Sequence, residues 1–382
     1  MDRRFSIFPT HRNCVADRLL FGMETPSGTP KTSRKPVIGI TLGDPMGIGP
    51  EVIVKALSDP DTRRMGRFVI YGLNELLTYA ADMHECNPFW FRVQHDSKRT
   101  SRAISENVVV LDYDEYDGFI QLPRNSSRQG GQISKLFVED AITDALREEG
   151  HPRKLDAIVT GPISKHSWTL AGFKWAGHTD LLAYRTKAKR SVMMFVSPRL
   201  KVTLATSHIP LMDIRNKLTI GCVFDPIDLG HEACRQLGIE NPRIAVTGLN
   251  PHAGEHGQFG DEEARLIEPA IKVARDHGID ASGPFPADTI FIKAAAGEYD
   301  LVVAMYHDQG LIPVKLLGWD KAVNMTLGLP IIRTSPDHGT AFNIVGKNKA
   351  SEGSMKAAIE LAAKLASAKI AKCDLAPAPG KQ

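Results

Sequence analysis

The amino-acid sequence predicts an α/β fold in which a mostly parallel β-sheet is covered by helices. The main observation is that, from Val37 onward, short β-branched runs alternate with longer amphipathic stretches. This alternation is typical of β-α-β units, whose strands run parallel and whose helices pack on the sheet. The composition, with 42% hydrophobic and 24% charged residues, is ordinary for a globular protein. The length of 382 residues favours two domains.

The alternating elements can be followed along the chain. The runs VIGITL, FVIYG, DAIVTG and RIAVTG are predicted strands, and amphipathic stretches such as EVIVKAL and NELLTYAA follow them. The clearest helix spans Asp261–His277, where apolar residues recur at helical spacing. These residues are Ala264, Ile267, Ile271 and Ala274. We also expect a loop or hinge at residues 121–131, LPRNSSRQGGQ, and a closing helix at SMKAAIELAAKLASAKI.

Charge and hydropathy argue against two classes of partner. The formal net charge is +3, from 47 Lys and Arg against 44 Asp and Glu, which gives no electrostatic footprint for duplex nucleic acid. The longest apolar runs, such as VVAM in DLVVAMYH, are far shorter than the roughly 20 residues of a membrane-spanning helix. We therefore expect neither a nucleic-acid partner nor a membrane partner.

The cysteines and the N-terminal segment bear on the compartment. The five cysteines are far apart and form no C-x-x-C pair, so neither a disulfide framework nor a cysteine zinc site is expected. A reducing, cytoplasmic location is the simplest interpretation. Residues 1–36 are rich in Arg, Pro, Ser and Thr, and we interpret them as a disordered leader. A start at Met23 and a transit peptide are the alternatives.

The most informative pattern lies where the predicted strands end. The runs KVTLATS, RIAVTGLNP and LVVAMY lead into His208, His252 and His307, respectively. Ligands of open α/β sheets bind outside the carboxyl ends of the strands, so these histidines are candidates for a site. Three imidazoles from three strand ends could hold one divalent metal ion and leave coordination positions open for a substrate.

A simpler explanation also exists for each of these histidines. A chain with 13 histidines places some of them beside strand ends by accident, where they hydrogen-bond to loop backbone. A metal-bound imidazole needs a second hydrogen-bond partner, and Asp308 and Glu255 are the nearby candidates in the sequence. Imidazole nitrogens suit zinc, cobalt or nickel better than calcium. Both interpretations stay open at this point.

Two further clusters carry candidate binding residues. In WAGHTDLLA, Thr179 is a candidate N-cap of an apolar helix, and His178 lies near the positive end of that helix. The segment LIPVKLLGWDKAVNMTLGLPIIRTSPDHGTAF sets polar residues among short apolar runs. These residues are Lys315, Asn324, Arg333, Asp337 and His338. Its basic side chains either hold an acidic group such as a phosphate or form solvated surface.

The stretch TLGDPMGIGPE follows the first predicted strand and is rich in glycine. Its spacing matches neither G-x-G-x-x-G nor G-x-x-x-x-G-K-[ST], so neither a Rossmann fingerprint nor a Walker loop is present. The glycines therefore indicate only a close approach of the backbone to a ligand or to a neighbouring strand.

Seven motifs occur in the order known from one enzyme family. They are GDPMGIGPE, GHTDLLA, SHIPL, GLNPHAGE, PADT, MYHDQG and NMTLGLPIIRTSPDHGTA, and they extend from about Val37 to the last helix. In these motifs the sequence resembles the 4-hydroxythreonine-4-phosphate dehydrogenase (PdxA-like) family of vitamin B6 biosynthesis. The resemblance implies a two-domain α/β fold similar to isocitrate and isopropylmalate dehydrogenases. Residues 37–160 plus 335–382 would form the first domain, on the cofactor side, and residues 161–334 the second, with the metal and substrate ligands and the dimer contacts.

The resemblance also implies roles for particular residues. His208, His252 and His307 match the ligands of one divalent metal ion, which is zinc, cobalt or magnesium. The residues that match contacts to a phosphorylated substrate are His178, Thr179, Lys315, Asn324 and Arg333. The family uses NAD or NADP without a standard Rossmann loop, and it works as a homodimer whose active site is shared between subunits.

The implied reaction is oxidation of a secondary alcohol by hydride transfer to the nicotinamide, followed by loss of carbon dioxide. Candidates for the proton-transfer role are His178, Asp288 in PADT, and Lys315. The expected substrate is a 4-phosphorylated 3-hydroxy acid, foremost 4-hydroxythreonine 4-phosphate, which gives 3-amino-2-oxopropyl phosphate for pyridoxal phosphate biosynthesis. The run MYHDQGLIPVKLLG, however, is more similar to the branch of 4-phospho-D-threonate and 4-phospho-D-erythronate dehydrogenases.

Other classes of protein explain less of the sequence. A phosphate acyltransferase would need an anion-binding cleft but not three histidine ligands. A metal-dependent hydrolase would use the three histidines but leaves the cluster between Lys315 and Arg333 without a role. A non-catalytic metabolite-binding protein would not require the complete set of metal and substrate positions.

Overall fold

The computed structural model describes residues 34–98 and 106–375 of the chain. These residues form one 12-stranded sheet flanked by helices, which confirms the predicted α/β class. The strands are β1 (Val37–Thr41), β2 (Arg67–Gly72), β3 (Phe91–Gln94), β4 (Val108–Asp112), β5 (Ala157–Thr160), β6 (Val192–Val196), β7 (Lys201–Leu204), β8 (Ile244–Thr247), β9 (Ala281–Phe285), β10 (Leu301–Ala304), β11 (Val323–Leu327) and β12 (Ile332–Pro336). The α-helices are α1 (Gly49–Ser58), α2 (Pro60–Arg64), α3 (Asn74–Met83), α4 (Arg128–Ala145), α5 (Lys165–Leu170), α6 (His178–Thr186), α7 (Ile214–Lys217), α8 (Ile220–Gln236), α9 (Glu268–Asp276), α10 (Ala287–Ala295), α11 (His307–Gly318) and α12 (Gly353–Leu375).

The strands are ordered β3-β4-β2-β1-β5-β12-β11-β6-β7-β10-β8-β9 along the sheet. Neighbouring strands are parallel except at β12/β11, β11/β6 and β6/β7. The sheet is therefore mostly parallel, as predicted, and it is continuous rather than divided into separate sheets. Because β7, β10 and β8 are parallel neighbours, their carboxyl ends lie at the same edge of the sheet.

Three clusters of buried apolar side chains surround the sheet. The first packs β1, β2, β4 and β5 against α1, α3, α4 and α12. The second and third lie on opposite faces of the strands around β10, since Val303 belongs to the second and Val302 and Ala304 to the third. Strands buried on both faces have continuous apolar sequences, which explains why LVVA and IAVT show no alternation. The domain boundaries at residues 160 and 334 stay a prediction.

The helix predicted over Asp261–His277 begins with a π-helical turn, Glu263–Ile267, which α9 continues. A π-turn holds more residues than an α-turn and changes which side chains face the core. Ala264, predicted to be in the core, is exposed, whereas Glu262 and Glu263 are buried. The other residues of the predicted apolar face, Ile267, Ile271 and Ala274, are buried.

The loop predicted at residues 121–131 is shorter than expected. Helix α4 begins at Arg128, and the Oγ of Ser127 caps it by accepting a hydrogen bond from the backbone N of Gly130 at 2.9 Å. A Cβ atom at Gly131 would lie 2.1 Å from the carbonyl oxygen of Ser167. These glycines therefore belong to a tightly packed helix start, so the observed loop ends at Ser127, and the role of a hinge stays a prediction. The closing helix is confirmed as α12.

The predicted leader, residues 1–36, lies outside the described residues except for its last three. Arg34 donates hydrogen bonds to both carboxylate oxygens of Asp156, at 2.6 and 2.8 Å, and the backbone N of Val37 donates to the same group. Arg34 therefore belongs to the folded part, which corrects the predicted boundary. Among the helices that the structure describes, none has the length and apolar character needed to span a bilayer.

The glycine-rich stretch after β1 packs against other backbone segments. Gly43 has a φ of +82°, and a Cβ atom there would lie 2.3 Å from the carbonyl oxygen of Pro162. A Cβ atom at Gly49 would lie 2.0 Å from the carbonyl oxygen of Leu42. The glycines thus allow strand-end loops to approach each other closely, which was one of the two predicted explanations.

Candidate active site

Three adjacent strand ends carry the candidate metal ligands. His208 follows β7, His307 begins α11 directly after β10, and His252 follows β8. Because β7, β10 and β8 are parallel neighbours in the sheet, the three histidines emerge at one edge. The sheet order thus brings together three residues that are far apart in the sequence.

His208 and His307 form a pair. Their ring centroids lie 5.6 Å apart. Partial burial, together with the nearby charges of Lys165 and His307, lowers the pKa of His208, so its imidazole is neutral at pH 7 and has a lone pair to donate. The Nδ1 of His307 lies 2.7 Å from Oδ1 of Asp308, one of the two partners considered from the sequence. Such a pair has the chemistry expected of metal ligands.

His252 stays apart from this pair. It is exposed and lies in the turn Pro251–Gly257. Its ring is tilted relative to that of Phe259, and the two ring centroids are 6.1 Å apart. Across residues 34–98 and 106–375, no three His, Cys, Asp or Glu side chains converge closely enough to hold one ion. The donor types fit a divalent metal ion, but a single chain brings only two of the three imidazoles together.

A second cluster surrounds the buried side chain of Arg333 on β12, which is 3% exposed. Its Nη2 donates to Oγ1 of Thr160 at 2.7 Å, and its Nη1 donates to Oγ1 of Thr326 at 3.0 Å. Its Nη2 also lies 3.5 Å from Nδ1 of His178. Burial lowers the pKa of Arg333 to about 9, so the guanidinium remains a cation at neutral pH. No carboxylate of the described chain contributes to that pKa, which leaves a buried cation without a counter-charge.

His178 is held as a neutral imidazole at the start of α6. Burial, and then the charge of Arg333, lower its pKa well below the ordinary value of 6.5. Its ring packs edge-on against Trp168, with centroids 5.6 Å apart, and its Nε2 has no hydrogen-bond partner among the described residues. A buried nitrogen without a partner is rare in proteins and is free to bind a ligand.

Thr179 is not the N-cap of α6, as the sequence had suggested. The helix begins at His178, so its cap position is Gly177, and no side chain caps it. The carboxylate of Asp180 instead accepts a hydrogen bond from the backbone N of Ala176 at 3.1 Å. The hydroxyl of Thr179 is therefore not committed to a helix cap.

The remaining predicted polar residues are Lys315, Asn324, Asp337 and His338. Lys315 on α11 makes an ion pair with Asp337, with Nζ and Oδ2 3.4 Å apart. Burial raises the pKa of Asp337, and Lys315 and His307 lower it, which shows that these groups are close. Asn324 on β11 has a buried Oδ1 without a partner in the described chain. His338 likewise has an unpartnered buried Nε2.

Asp288 is not brought into this group. It lies in the first turn of α10 and is exposed, and no hydrogen bond or ion pair in the described part of the chain joins it to the other candidates. The sequence also missed Thr160 and Thr326, which accept hydrogen bonds from Arg333, and Lys165, whose charge helps to lower the pKa of His208 after burial. The signal for Thr160 was its position at the end of the DAIVTG strand, where polar residues of a site are expected.

Comparison with known proteins identifies the family. The model of the family described as pyridoxal phosphate biosynthetic protein PdxA matches residues 64–362. A 4-hydroxythreonine-4-phosphate dehydrogenase from Geobacter metallireducens is 44% identical over 88% of this chain and 97% of its own length. A D-threonate 4-phosphate dehydrogenase from Cupriavidus necator is also 44% identical, over 87% of this chain and 97% of its own length.

Solved structures agree with this result. The crystal structure of a 4-hydroxythreonine-4-phosphate dehydrogenase from Klebsiella pneumoniae has a TM-score of 0.73 and 38% identity, over 87% of this chain and 99% of that chain. A terephthalate 1,2-cis-dihydrodiol dehydrogenase from Burkholderia xenovorans has a TM-score of 0.58 and 26% identity, over 87% of this chain and 98% of that chain. The chain therefore belongs to the PdxA family and is a dehydrogenase.

Proposed function

We propose that this protein oxidises and decarboxylates a 4-phosphorylated 3-hydroxy acid with NAD or NADP and a divalent metal ion. The first candidate substrate is 4-hydroxythreonine 4-phosphate, which would give 3-amino-2-oxopropyl phosphate for pyridoxal phosphate biosynthesis in the cytoplasm. The observation that carries the proposal is the buried, unpaired cation of Arg333 beside neutral His178. A small anionic substrate would supply the missing counter-charge.

The phosphate or carboxylate of the substrate is the group that Arg333 would bind. A guanidinium has five N–H donors in a planar fork that matches such anions, and the threonine hydroxyls of Thr160 and Thr326 hold this fork in place. The free Nε2 of His178 and the free Oδ1 of Asn324 would add directional hydrogen bonds. Lys315 and Thr179 complete the proposed substrate set. Such contacts with remote groups orient the reacting carbon.

The metal ion would be held by His208, His252 and His307, and zinc, cobalt and magnesium are the candidates. When bound, the ion would act as a Lewis acid at the reacting oxygen. The neutral state of His208 and the contact of His307 with Asp308 support this role. Protons would be moved by His178, Lys315 or Asp288, and the exposed position of Asp288 makes it the weakest of these candidates.

A homodimer with an active site shared between subunits accounts for the separation of His252 from the histidine pair. Exposed apolar side chains lie on the elements that carry the three histidines. They are Met212 after His208, Phe259 after His252, Ile312 and Leu316 on α11, and Trp319 directly after α11. Ile312 and Leu316 are one helical turn apart on the same face of α11, and with Trp319 they form an apolar surface that a second copy would cover.

A second candidate function is oxidation of D-threonate 4-phosphate or D-erythronate 4-phosphate in sugar-acid catabolism. Two observations favour it. The relative named a D-threonate 4-phosphate dehydrogenase is as similar to this chain as the relative named for the vitamin B6 substrate, at 44% identity each. In addition, the run IPVK before and including Lys315 is similar to that branch. These substrates share the phosphate and the carboxylate. They differ at carbon 2, where 4-hydroxythreonine 4-phosphate carries an amino group and the two phosphorylated sugar acids carry a hydroxyl group.

The experiment that tests the function is a dehydrogenase assay of the purified protein. Formation of reduced nicotinamide is followed with 4-hydroxythreonine 4-phosphate, D-threonate 4-phosphate and D-erythronate 4-phosphate, with NAD and with NADP, and with zinc, cobalt or magnesium added after chelation. We expect turnover of at least one of these substrates that needs both the phosphate group and the metal ion. The substrate with the highest kcat/KM identifies the branch. Absence of turnover with all three, in protein that is folded and metal-loaded, would contradict the proposal.

A further inference from the structure

Two neighbouring carboxylates, Glu262 and Glu263, are buried where the π-helical turn begins, each with 4% of its surface exposed. Glutamate side chains are almost never buried so completely unless they are paired. Neither residue belongs to the proposed substrate or metal set. Their hydrogen-bond and ion-pair partners lie on the two loops that carry His208 and His252.

Glu263 binds the backbone just before His252. Its Oε1 accepts hydrogen bonds from the backbone N of Leu249 and of Asn250, both at 2.8 Å. The Nδ2 of Asn250 donates to Oε2 of Glu263 at 3.0 Å and to Oε2 of Glu262 at 2.8 Å. The two carboxylates therefore fix both the main chain and the side chain of Asn250, which lies two positions before His252.

Glu262 reaches the loop of His208. Arg215, on the short helix α7, forms an ion pair with Glu262, with Nε and Oε1 3.0 Å apart. Arg215 follows His208 in the same connection between β7 and α8. The chain of contacts Arg215–Glu262–Asn250–Glu263 thus joins the connection after β7 to the connection after β8.

The turn that carries His252 needs such support. His252, Ala253, Glu255 and His256 have φ values of 53°, 53°, 42° and 55°, which lie in the left-handed region. Non-glycine residues keep this conformation only when surrounding contacts enforce it. The glycines of the segment let Glu263 come close, since a Cβ atom at Gly254 would lie 2.7 Å from its Oε2.

We propose that Glu262 and Glu263 are positioning residues that couple the His208 and His252 loops and hold each imidazole in its metal-binding orientation, so that in a shared dimer site the coupling would link the ligands of two neighbouring ions. The inference rests on the proposed metal role of these histidines. The carboxylates would not touch the ion or the substrate. They would act through Asn250 and Arg215. The loss of either carboxylate would therefore disturb His252 through Asn250, and the loss of Arg215 would disturb it through Glu262.

The coupling is tested first in metal-free protein by hydrogen–deuterium exchange. Arg215→Ala removes an exposed side chain and should leave the fold intact. In Arg215→Ala we expect about fivefold faster exchange in the peptide covering residues 246–259, although no hydrogen bond or ion pair of the described chain joins Arg215 to this peptide. We expect a similar increase in Glu263→Gln. Glu268→Gln, which removes an exposed carboxylate from the same helical segment, is the matched control and should exchange like the wild type.

The effect on the ion is tested with Co²⁺ alone, by its visible absorption spectrum and its dissociation constant. We expect Arg215→Ala and Glu263→Gln to weaken Co²⁺ binding by about tenfold or more and to change the spectrum. Arg215→Lys keeps the positive charge near Glu262 and should recover most of the affinity. The melting temperature of each variant without metal separates this effect from general destabilisation.

The outcomes distinguish the two proposals. Unchanged exchange over residues 246–259 in both Arg215→Ala and Glu263→Gln would overturn the coupling. Faster exchange with unchanged Co²⁺ affinity would overturn the positioning role, provided that His208→Ala and His252→Ala do weaken Co²⁺ binding. If neither histidine variant weakens Co²⁺ binding, the metal assignment in the proposed function fails, and the positioning role toward an ion fails with it. The exchange result still decides whether the two loops are coupled.

Discussion

The guanidinium of Arg333 and the imidazole of His178 lie 3.5 Å apart, between Nη2 and Nδ1, and both side chains are buried. Burial, and then this neighbouring cation, lower the pKa of His178 and keep its imidazole neutral, because protonation would place two positive charges together in a poorly solvated environment. The pair therefore presents one fixed positive charge and one neutral nitrogen with an unpartnered Nε2. Since the guanidinium can only donate, Nδ1 accepts and the neutral imidazole carries its proton on Nε2. This combination suits an anion whose oxygens accept hydrogen bonds from both side chains.

The first prediction concerns anion binding by Arg333. Removing a buried charge without a counter-charge relieves a desolvation cost, so Arg333→Met should not lower the melting temperature of the ligand-free protein. The same change should abolish the stabilisation that millimolar inorganic phosphate gives to the wild type, and should raise KM for the phosphorylated substrate by about 100-fold. Differential scanning fluorimetry with and without phosphate measures the first effect.

Arg243→Met is the matched control, because Arg243 pairs with Asp300 at the surface, where both residues precede β8 and β10 and so lie at the opposite ends of these strands from His252 and His307. It should keep the response to phosphate. Equal stabilisation of wild type and Arg333→Met by phosphate would show that the anion binds elsewhere.

The second prediction concerns acid stability. The pKa of His178 is lowered in the folded state, so between that value and 6.5 the unfolded chain binds the proton more readily. The free energy of unfolding should therefore fall as the pH decreases below 6.5, by up to about 1.4 kcal/mol per pH unit for this residue. His178→Gln should reduce that slope. Chemical denaturation at pH 5, 6 and 7 measures it.

The comparison of His178→Gln with wild type isolates this residue. The raised pKa values of Asp44 and Asp337 act in the opposite direction, because these carboxyl groups take up protons more readily in the folded state. Their contribution is the same in both proteins. An equal slope in both would mean that the folded protein binds the proton at His178 as easily as the unfolded chain does.

The sequence predicted the class of the fold better than the details of its helices. The apolar runs predicted strands because both faces of the sheet are covered. The histidines at three strand ends indicated one site because β7, β10 and β8 are neighbours in the sheet. The neighbourhood itself was not visible, since strand order depends on long-range pairing. The π-turn at Glu263–Ile267 was missed because helical periodicity assumes 3.6 residues per turn throughout.

The partners of Arg333 show the same limit. Arg333 was singled out for its charge, but its partners Thr160 and Thr326 lie on the two strands that flank β12, and Thr160 is 173 residues away in sequence. The strand-end position of Thr160 was a signal, but threonines are common at strand ends, so it did not single out this residue. Thr179 was instead a misleading signal. Threonine is a common N-cap residue and precedes an apolar helix here, but the N-cap position is Gly177.

The third prediction tests why the loop after β1 contains glycine. A Cβ atom at Gly49 would lie 2.0 Å from the carbonyl oxygen of Leu42, which is backbone and cannot move aside cheaply. Gly49→Ala should therefore lower the free energy of unfolding by about 1 to 3 kcal/mol. Gly150→Ala is the control, because a Cβ atom there meets no atom within 4 Å and only the φ of +85° opposes the change. If Gly49→Ala lowers the free energy of unfolding no more than the control does, the backbone at Gly49 and Leu42 has room to move apart, which would contradict the close packing of this stretch.

The fourth prediction tests the apolar face of α11 as a subunit interface. Leu316 is 81% exposed in the single chain and lies next to Lys315 in the proposed site. A carboxylate at this position would have to be desolvated in an interface, so Leu316→Glu should convert a dimer into a monomer. Light scattering coupled to size-exclusion chromatography measures the change in mass. Leu146→Glu, at an exposed leucine on the other half of the sheet, is the control and should leave the mass unchanged.

The activity of the Leu316→Glu variant then decides whether the site is shared. If His252 must join His208 and His307 from a second copy, the monomer should lose metal-dependent turnover while remaining folded, because one chain alone brings only two of the imidazoles together. Adding an excess of cobalt should not restore it, since the missing element is a ligand and not the ion. A monomer with the full kcat of the wild type would show that one chain forms the whole site, and that the turn Pro251–Gly257 closes onto the histidine pair within the same subunit.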